Sequence, residues 1–128
     1  MGPAERRPVR APERGPGEKP RKEPGQVRLE RDGRIATVTI DRPSARNAMD
    51  RAMWVALRAV MERLSGEDAG VRAVVVRGAG GTFCAGSDIK EMQGRTTEEA
   101  EETFRLVEAA LAAVERVPVP VIAAVNGV

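Results

Sequence analysis

Residues 73–86 have the sequence Ala-Val-Val-Val-Arg-Gly-Ala-Gly-Gly-Thr-Phe-Cys-Ala-Gly, in which a short apolar run leads directly into a glycine-rich segment. A continuous apolar run of this length is typical of a strand that is covered on both faces of its sheet. Four glycines among the nine residues 78–86 predict a loop rather than a helix or strand. Residues 87–92 follow as a predicted short helix, so the stretch has the strand, loop and helix order of an α/β protein.

The residues before this stretch predict a β-hairpin followed by a helix. Val27 and Leu29 alternate with charged residues, Asp32-Gly33 has turn chemistry, and residues 35–40 are rich in β-branched side chains. Asp50 is a suitable N-cap for the helix that follows. Apolar residues recur in that helix at spacings of three and four, as expected for one buried face. They are Met53, Trp54, Leu57, Val60, Met61 and Leu64.

The residues after the glycine-rich segment predict a second long helix and a further strand. Thr96 and Glu99 form a capping box that starts the helix, and Val117-Pro118 ends it. Its apolar stripe consists of Phe104, Val107, Leu111 and Val114, with Ala100 and Ala110 at the border. Residues 119–125 predict another buried strand, and the whole order predicts helices packed on a largely parallel sheet. Because the sequence ends shortly after that strand, we expect it to represent part of a domain.

The first 25 residues differ in composition from the rest. They contain seven basic and four acidic residues and six of the nine prolines of the 128-residue chain, with Val9 as the only bulky aliphatic side chain. Such a segment buries too little apolar surface to offset the entropy of ordering it, so we predict a disordered tail over 1–25 and a folded region over 26–128. Interspersed acids and the lack of aromatic residues argue against a basic arm for nucleic acid or for a membrane surface.

Composition also excludes several kinds of chemistry. The chain has no His and a single cysteine, Cys84, so Ser-His-Asp and Cys-His mechanisms and the common zinc sites cannot be completed within it. We predict no metal site and interpret Cys84 as a small buried side chain, since no base is present to activate it as a nucleophile. No apolar stretch is long enough for a membrane span or a secretory signal, which makes the cytoplasm the expected location.

The glycine-rich segment is the candidate functional element. It lacks the Gly-Lys-Ser/Thr ending and the GxGxxG spacing of nucleotide-binding loops. Gly86 could instead turn the chain so that the backbone N–H of Ser87 points outward at the start of a helix, which would supply half of an oxyanion hole. A flexible connection in which the glycines serve only the turn remains the alternative.

Four collinear segments carry a family resemblance. They are Ile40-Asp-Arg-Pro-Ser-Ala-Arg-Asn-Ala-Met49, Ala73-Val-Val-Val-Arg-Gly78, Phe83-Cys-Ala-Gly-Ser-Asp-Ile-Lys-Glu-Met92 and Pro118-Val-Pro-Val-Ile-Ala-Ala-Val-Asn-Gly127. Together they resemble the crotonase superfamily of enoyl-CoA hydratases and isomerases. The resemblance covers residues 26–128, and it implies an α/β fold of the crotonase-like repeated β-β-α superhelix type, incomplete in this chain.

The resemblance implies roles for two groups of residues. The backbone N–H of Ser87 corresponds to the family's donor to the thioester oxygen of an acyl-CoA, and the Ala85 backbone corresponds to a contact with the pantetheine arm. The other implied substrate-binding residues are Gly86, Asp88, Ile89 and Lys90 near the thioester, and Ser44, Ala45 and Arg46 near the CoA. For Lys90 a solvated helix face is an equal alternative, and for Glu91 it is the favoured interpretation.

The same resemblance implies an enzyme of the enoyl-CoA hydratase/isomerase type, a lyase or isomerase of fatty acid metabolism that stabilises a thioester enolate. Its substrate is an acyl-CoA, with CoA as part of the substrate and no further cofactor. A full-length form is expected to be a homotrimer or a dimer of trimers. In the family the second oxyanion donor and the acid/base glutamates follow an Asn-Gly pair, which places them beyond Val128. We therefore expect the chain alone to be inactive, and the alternative function is a truncated, non-catalytic CoA-binding or interaction module.

Overall fold

The computed structural model describes residues 6–10, 24–66 and 70–127. Its strands are β1 (Arg6–Arg10), β2 (Gln26–Asp32), β3 (Ile35–Asp41), β4 (Ala73–Gly78) and β5 (Val121–Ala124). Its helices are α1 (Arg51–Gly66), α2 (Ile89–Met92) and α3 (Thr97–Arg116), with short 3-10 turns at Pro43–Ala45 and Ala79–Gly81. The elements that the sequence predicts over residues 26–127 are therefore present in the predicted order.

The five strands form one mixed sheet in the order β1-β2-β3-β4-β5. Neighbours among β1, β2 and β3 are antiparallel, whereas neighbours among β3, β4 and β5 are parallel. The prediction of a largely parallel sheet is thus wrong, since the sheet is mixed. The turn at Gly33 (φ 61°) reverses the chain directly and makes β2 and β3 antiparallel, whereas the connections through α1 and α3 make the later neighbours parallel. The carboxyl ends of β3, β4 and β5 consequently lie at the same edge of the sheet, where the glycine-rich segment begins.

β1 lies within the segment for which the sequence predicts disorder. Its backbone pairs with β2, with Val9 opposite Val27 and Arg6 opposite Glu30. For residues 6–10 the structure differs from the prediction, because the outer edge of β2 offers backbone groups that a neighbouring segment can satisfy. Residues 1–5 and 11–23 lie outside the described residues, and disorder there stays a prediction.

The core lies between the β2–β3 hairpin and α1. The hairpin buries alternate side chains on one face, as the period of a half-buried strand requires, and these are Val27, Leu29, Ala36, Val38 and Ile40. The predicted apolar face of α1 is confirmed, since all six of its residues named above are buried. The predicted N-cap is also confirmed: the Met53 N–H donates to Asp50 Oδ1 at 2.9 Å. This packing fixes the position of the residues that precede α1, and these residues contact the glycine-rich segment.

The buried face of α3 agrees only in part with the one that the sequence predicts. The N-cap at Thr96 is confirmed, with the Glu99 N–H donating to Thr96 Oγ1 at 3.1 Å. However, Phe104 and Leu111 of the predicted stripe are 64% and 50% exposed. The residues that α3 buries are Thr103, Ala110 and Ala113. Val107 and Val114 of the stripe are partly buried against the core. Small side chains let α3 approach α1 closely, which leaves Phe104 and Leu111 facing outward.

β5 is also more exposed than predicted. Ile122 and the following Val125 are 53% and 67% exposed, and β4 buries only Val74 and Gly78. The apolar runs predict strands covered on both faces, but the described residues supply no layer over these side chains. None of the helices in the described part of the chain is long and apolar enough to cross a lipid bilayer.

Candidate functional site

A single β-bridge between Met49 and Ser87 brings the glycine-rich segment against the chain that enters α1. The Met49 N–H donates to the Gly86 carbonyl at 2.8 Å, and the Asp88 N–H donates to the Met49 carbonyl at 2.9 Å. In a parallel bridge of this kind, the N–H and C=O of the middle residue point away from the partner strand. The Ser87 amide therefore faces outward, and within the described part of the chain it has no acceptor.

Gly86 is required for this geometry by its backbone conformation. Its φ is 96°, a region that residues with a Cβ rarely adopt, although there is open space where a Cβ would lie. Gly78 is needed for a different reason, because a Cβ there would overlap the carbonyl groups of Thr82 and Phe83. Its φ of −104° is ordinary, so close approach of the backbone, rather than a positive φ, requires glycine at position 78.

The predicted CoA-side residues lie beside the glycine-rich segment. Ser44 and Ala45 belong to a 3-10 turn that ends at Arg46 with φ 53°, and the Ala85 N–H donates to the Arg46 carbonyl at 3.1 Å. Ser44 and Arg46 are exposed and Ala45 is half-buried. The structure thus brings together the two groups of residues that sequence analysis selects, although they lie about forty positions apart in the chain.

Asp88 has a structural role that the sequence does not reveal. Its Oδ1 accepts from the N–H groups of Lys90 and Glu91 at 3.0 and 3.3 Å, which caps α2. Its Oδ2 pairs with Arg42 Nη1 at 2.9 Å. Partial burial acts to raise the pKa of Asp88, but the hydrogen bond and charge of Arg42, together with the two amides, hold this pKa below its usual value. Asp88 is therefore an ionised group that fixes the position of α2.

The side chains on α2 divide into two environments. Ile89 is 76% exposed and Lys90 is exposed. Glu91 is half-buried, and its Oε1 accepts from the Arg51 N–H at 2.8 Å, so interpreting Glu91 as a solvated residue is wrong. Burial raises the pKa of Glu91, with the charges of Asp50 and Asp88 acting in the same direction and the Arg51 amide and Arg95 opposing them. Glu91 therefore connects α2 to the first turn of α1.

Asn47 is a site-forming residue that sequence analysis missed. It is 1% exposed and has φ 60°, and its Oδ1 accepts from the Arg42 N–H at 2.7 Å. Its Nδ2 donates to the Ala79 carbonyl at 2.9 Å and to the Thr82 carbonyl at 2.7 Å. An asparagine between turn residues resembles ordinary turn chemistry, and nothing in the sequence indicates acceptors more than thirty residues away.

A cleft of about 250 Å³ lies at the carboxyl ends of β4 and β5, lined by Arg77, Gly78, Ala124, Val125 and Asn126. The Phe83 N–H donates to the Asn126 carbonyl at 2.9 Å, which joins the far side of this cleft to the glycine-rich segment. Ligands of open α/β sheets characteristically bind at this edge. The cleft and the outward Ser87 amide therefore lie at the end of the sheet where a ligand is expected.

The described part of the chain offers no cluster of metal-ligating side chains at this edge. Within residues 24–66 and 70–127 no three His, Cys, Asp or Glu side chains are grouped so that they could hold a metal ion. Cys84 is half-buried against the core rather than fully buried, and its Sγ lies 3.3 Å from the Gly86 nitrogen. The chemistry offered by this edge is hydrogen bonding from the backbone, with positive side chains around it.

Fold and site together define a class of α/β proteins with an outward backbone amide in a glycine-rich loop. The family model for enoyl-CoA hydratase/isomerase matches residues 30–128, and the chain belongs to that family. A probable enoyl-CoA hydratase of Mycobacterium tuberculosis is 40% identical over 101 residues, which are 79% of this chain and 39% of the relative. The short-chain-enoyl-CoA hydratase of Clostridium acetobutylicum is 39% identical over 102 residues, with the same two shares.

Solved structures agree with this assignment. The crystal structure of an enoyl-CoA hydratase/carnithine racemase from Magnetospirillum magneticum superposes with a TM-score of 0.74 at 38% identity, covering 79% of this chain and 39% of that one. The resemblance to the crotonase superfamily and the α/β crotonase-like fold are therefore confirmed. The chain spans about two fifths of the length of these relatives, so the fold is present in part.

Proposed function

We propose that this chain is the acyl-CoA-binding portion of an enzyme of the enoyl-CoA hydratase/isomerase family, and that the Ser87 amide donates to the thioester carbonyl oxygen. The observation that carries the proposal is the outward, unpartnered Ser87 N–H, which the bridge to Met49 holds at the edge of the sheet. A preformed donor of this kind needs no rearrangement when charge develops on the substrate.

The proposed chemistry proceeds through a thioester enolate. Charge on the thioester oxygen grows as the enolate forms, so a fixed donor stabilises the transition state more than the bound substrate. One such donor contributes roughly 3 kcal/mol in enzymes that use an oxyanion hole. Ser87 acts through its main chain in this proposal, and its hydroxyl group is not required.

Two exposed cations support binding of the CoA portion. The carbonyl of Arg46 accepts from the Ala85 N–H, and Lys90 lies on α2 five positions after Ala85. Both side chains are exposed, and within the described residues neither has a carboxylate partner. Positive charge around a binding edge attracts a polyanion such as CoA. Ser44, Ala45 and the Ala85 backbone would border the pantetheine arm, while Gly86, Asp88 and Ile89 would border the thioester. CoA belongs to the substrate in this proposal, and no separate cofactor is needed.

The described residues near Ser87 supply no free acid/base pair. Asp88 is engaged by Arg42 and by two amides of α2, and Glu91 is engaged by the amide of Arg51. We therefore propose that the acid/base groups and a second oxyanion donor come from residues outside 1–128, and that the 128-residue chain binds the thioester without turnover. A cytoplasmic enzyme that works as a homotrimer or a dimer of trimers is part of the same proposal.

The proposal is tested by comparing CoA thioesters with free CoA. The purified chain is titrated with crotonyl-CoA carrying a ¹³C-labelled carbonyl, and the carbonyl stretch is followed by difference infrared spectroscopy. We expect the stretch to move to lower frequency on binding, because hydrogen bonding weakens the carbonyl bond. Ser87→Ala keeps the amide and should keep the shift, whereas Ser87→Pro removes the donor and should abolish it. Equal affinity for crotonyl-CoA and free CoA with no shift would refute the proposal.

A further inference from the structure

We infer that Asn47 is a positioning residue that fixes the conformation of the glycine-rich segment and thereby the direction of the Ser87 amide. The catalytic importance of Asn47 rests on the proposed function, but the effect of Asn47 on the conformation of the segment can be measured without substrate. The inference goes beyond turn formation, because a turn needs only local hydrogen bonds and those of Asn47 extend to another part of the chain.

The side chain of Asn47 is fully used within the protein. One amide hydrogen goes to the Ala79 carbonyl, the other to the Thr82 carbonyl, and Oδ1 accepts from the Arg42 N–H. At 1% exposure no water competes for these groups. Leaving such a buried donor or acceptor without a partner is costly, so the three bonds form or break together.

The two acceptors of Asn47 lie on either side of two consecutive glycines. Gly80 and Gly81 separate Ala79 from Thr82, and both have positive φ, at 72° and 86°. Glycine loses more conformational entropy than any other residue when it is held in one such state. A side chain that binds the carbonyls before and after these glycines is therefore well placed to hold them.

The turn that contains Asn47 holds the rest of the segment as well. The neighbouring Arg46 carbonyl accepts from the Ala85 N–H, and Met49 bonds to Gly86 and Asp88 around Ser87. The segment from 79 to 88 is thus bound to residues 46–49 from its beginning to its end. If the Asn47 bonds are lost, residues 79–82 lose their attachment to this turn. The bridge between Met49 and Ser87 must then hold the direction of the Ser87 amide without that support.

Two substitutions remove the donors in different ways. Asn47→Gly deletes the side chain but tolerates the φ of 60°, so the turn itself keeps its preferred backbone. Asn47→Asp keeps the shape and the acceptor for Arg42, but it places an oxygen against two carbonyl oxygens. The matched control is Thr103→Val on α3, which removes one partly buried bond to a backbone carbonyl, from Thr103 Oγ1 to the Glu99 carbonyl at 3.1 Å.

The first measurement is native-state hydrogen exchange on the full 128-residue chain of each variant. The amides of Phe83, Ala85 and Asp88 report on the segment, because each donates to a backbone carbonyl outside it. The acceptors are the carbonyls of Asn126, Arg46 and Met49, respectively. We expect both Asn47 variants to exchange at these amides about tenfold faster relative to amides in the middle of α1, as a lost buried bond predicts. Thr103→Val should change segment and α1 together. If the Asn47 variants also change them together, or change neither, the inference is overturned.

The second measurement separates this inference from the proposed function. The ratio of the CoA dissociation constant to the crotonyl-CoA dissociation constant should fall about tenfold towards unity in Asn47→Gly, consistent with a displaced donor, and stay unchanged in Thr103→Val. If the wild-type chain shows no preference for the thioester, the proposed function fails while the exchange rates at Phe83, Ala85 and Asp88 still decide the role of Asn47. A wild-type preference that survives in Asn47→Gly overturns the inference, since the Ser87 amide then keeps its direction without Asn47.

Discussion

Asp88→Asn tests the ion pair that ties α2 to the chain before α1. Arg42 Nη1 lies 2.9 Å from Asp88 Oδ2, and the two side chains are only 6% and 16% exposed. Removing one partner of a buried pair costs roughly 3–5 kcal/mol, because the other charge is left poorly solvated. Asparagine keeps an oxygen near the guanidinium, and the Ala48 carbonyl still accepts from Nη1 at 3.2 Å. We therefore expect the lower end of that range, about 3 kcal/mol of unfolding free energy.

Urea unfolding followed by the fluorescence of the buried Trp54 measures this loss. Glu101→Gln is the matched control, since its carboxylate makes only an exposed i,i+4 pair with Arg105 at 3.8 Å. Exposed pairs of this type contribute about 0.3–0.5 kcal/mol. A loss below about 1 kcal/mol for Asp88→Asn would place its pair in the exposed class and refute the reasoning.

The pH dependence provides an independent check on the same pair. Although burial opposes it, the hydrogen bond and charge of Arg42 hold the pKa of Asp88 below its ordinary value. A carboxylate with a lowered pKa in the folded state contributes stability above the pKa of the unfolded state and loses it as the pH falls through the folded-state value. The gap between wild type and Asp88→Asn should therefore persist at pH 5, above the ordinary aspartate pKa of about 3.9, and close only in stronger acid.

Three further predictions follow from the glycine-rich segment and α2. Burial raises the pKa of Glu91, so the stability that this group contributes is present below its unfolded-state pKa and is lost as the pH rises through its folded-state pKa. In urea titrations, the unfolding free energy of the wild type should therefore increase relative to that of Glu91→Gln as the pH is lowered from 7 to 4. A difference that does not change with pH would contradict this. Gly78→Ala forces a Cβ onto the carbonyls of Thr82 and Phe83 and should lower the unfolding free energy by about 1–3 kcal/mol in the same titration. Gly66→Ala, which has open space at the Cβ, should cause no such loss. Equal losses in the two variants would show that crowding is not the cause. The purified chain should leave crotonyl-CoA absorbance unchanged, because the described residues near Ser87 supply no free acid/base pair. Saturable turnover would disprove this.

Local sequence patterns predict much of the fold. The hairpin, α1 and the caps at Asp50 and Thr96 follow from alternation, helical spacing and capping chemistry, which act over a few residues. What the sequence does not reveal is decided by neighbours distant in the chain. β1 depends on a free edge of β2, and the outward turn of Phe104 depends on how closely α3 approaches α1.

The candidate site divides in the same way. The turn at Ser44–Arg46 lies beside the glycine-rich segment, with the Ala85 N–H donating to the Arg46 carbonyl, and the roles that the family resemblance implies for these residues stay predictions. The roles of Asn47 and Glu91 as connectors could not be predicted, because their partners lie 32 to 40 positions away. Such bonds depend on tertiary contacts that no local pattern encodes, and they hold the backbone of the glycine-rich segment in place.

The dependence of the glycine-rich segment on residues 46–49 also affects the order of folding. The bonds from Asn47 to Ala79 and Thr82 close loops of 32 and 35 residues, so they form after the local β2–β3 hairpin, since distant contacts pay their loop entropy first. Contacts that are absent from the folding transition state affect the unfolding rate rather than the folding rate. If an acyl-CoA binds at this segment as proposed, it should therefore slow unfolding and leave refolding nearly unchanged, and so lengthen the lifetime of the folded chain.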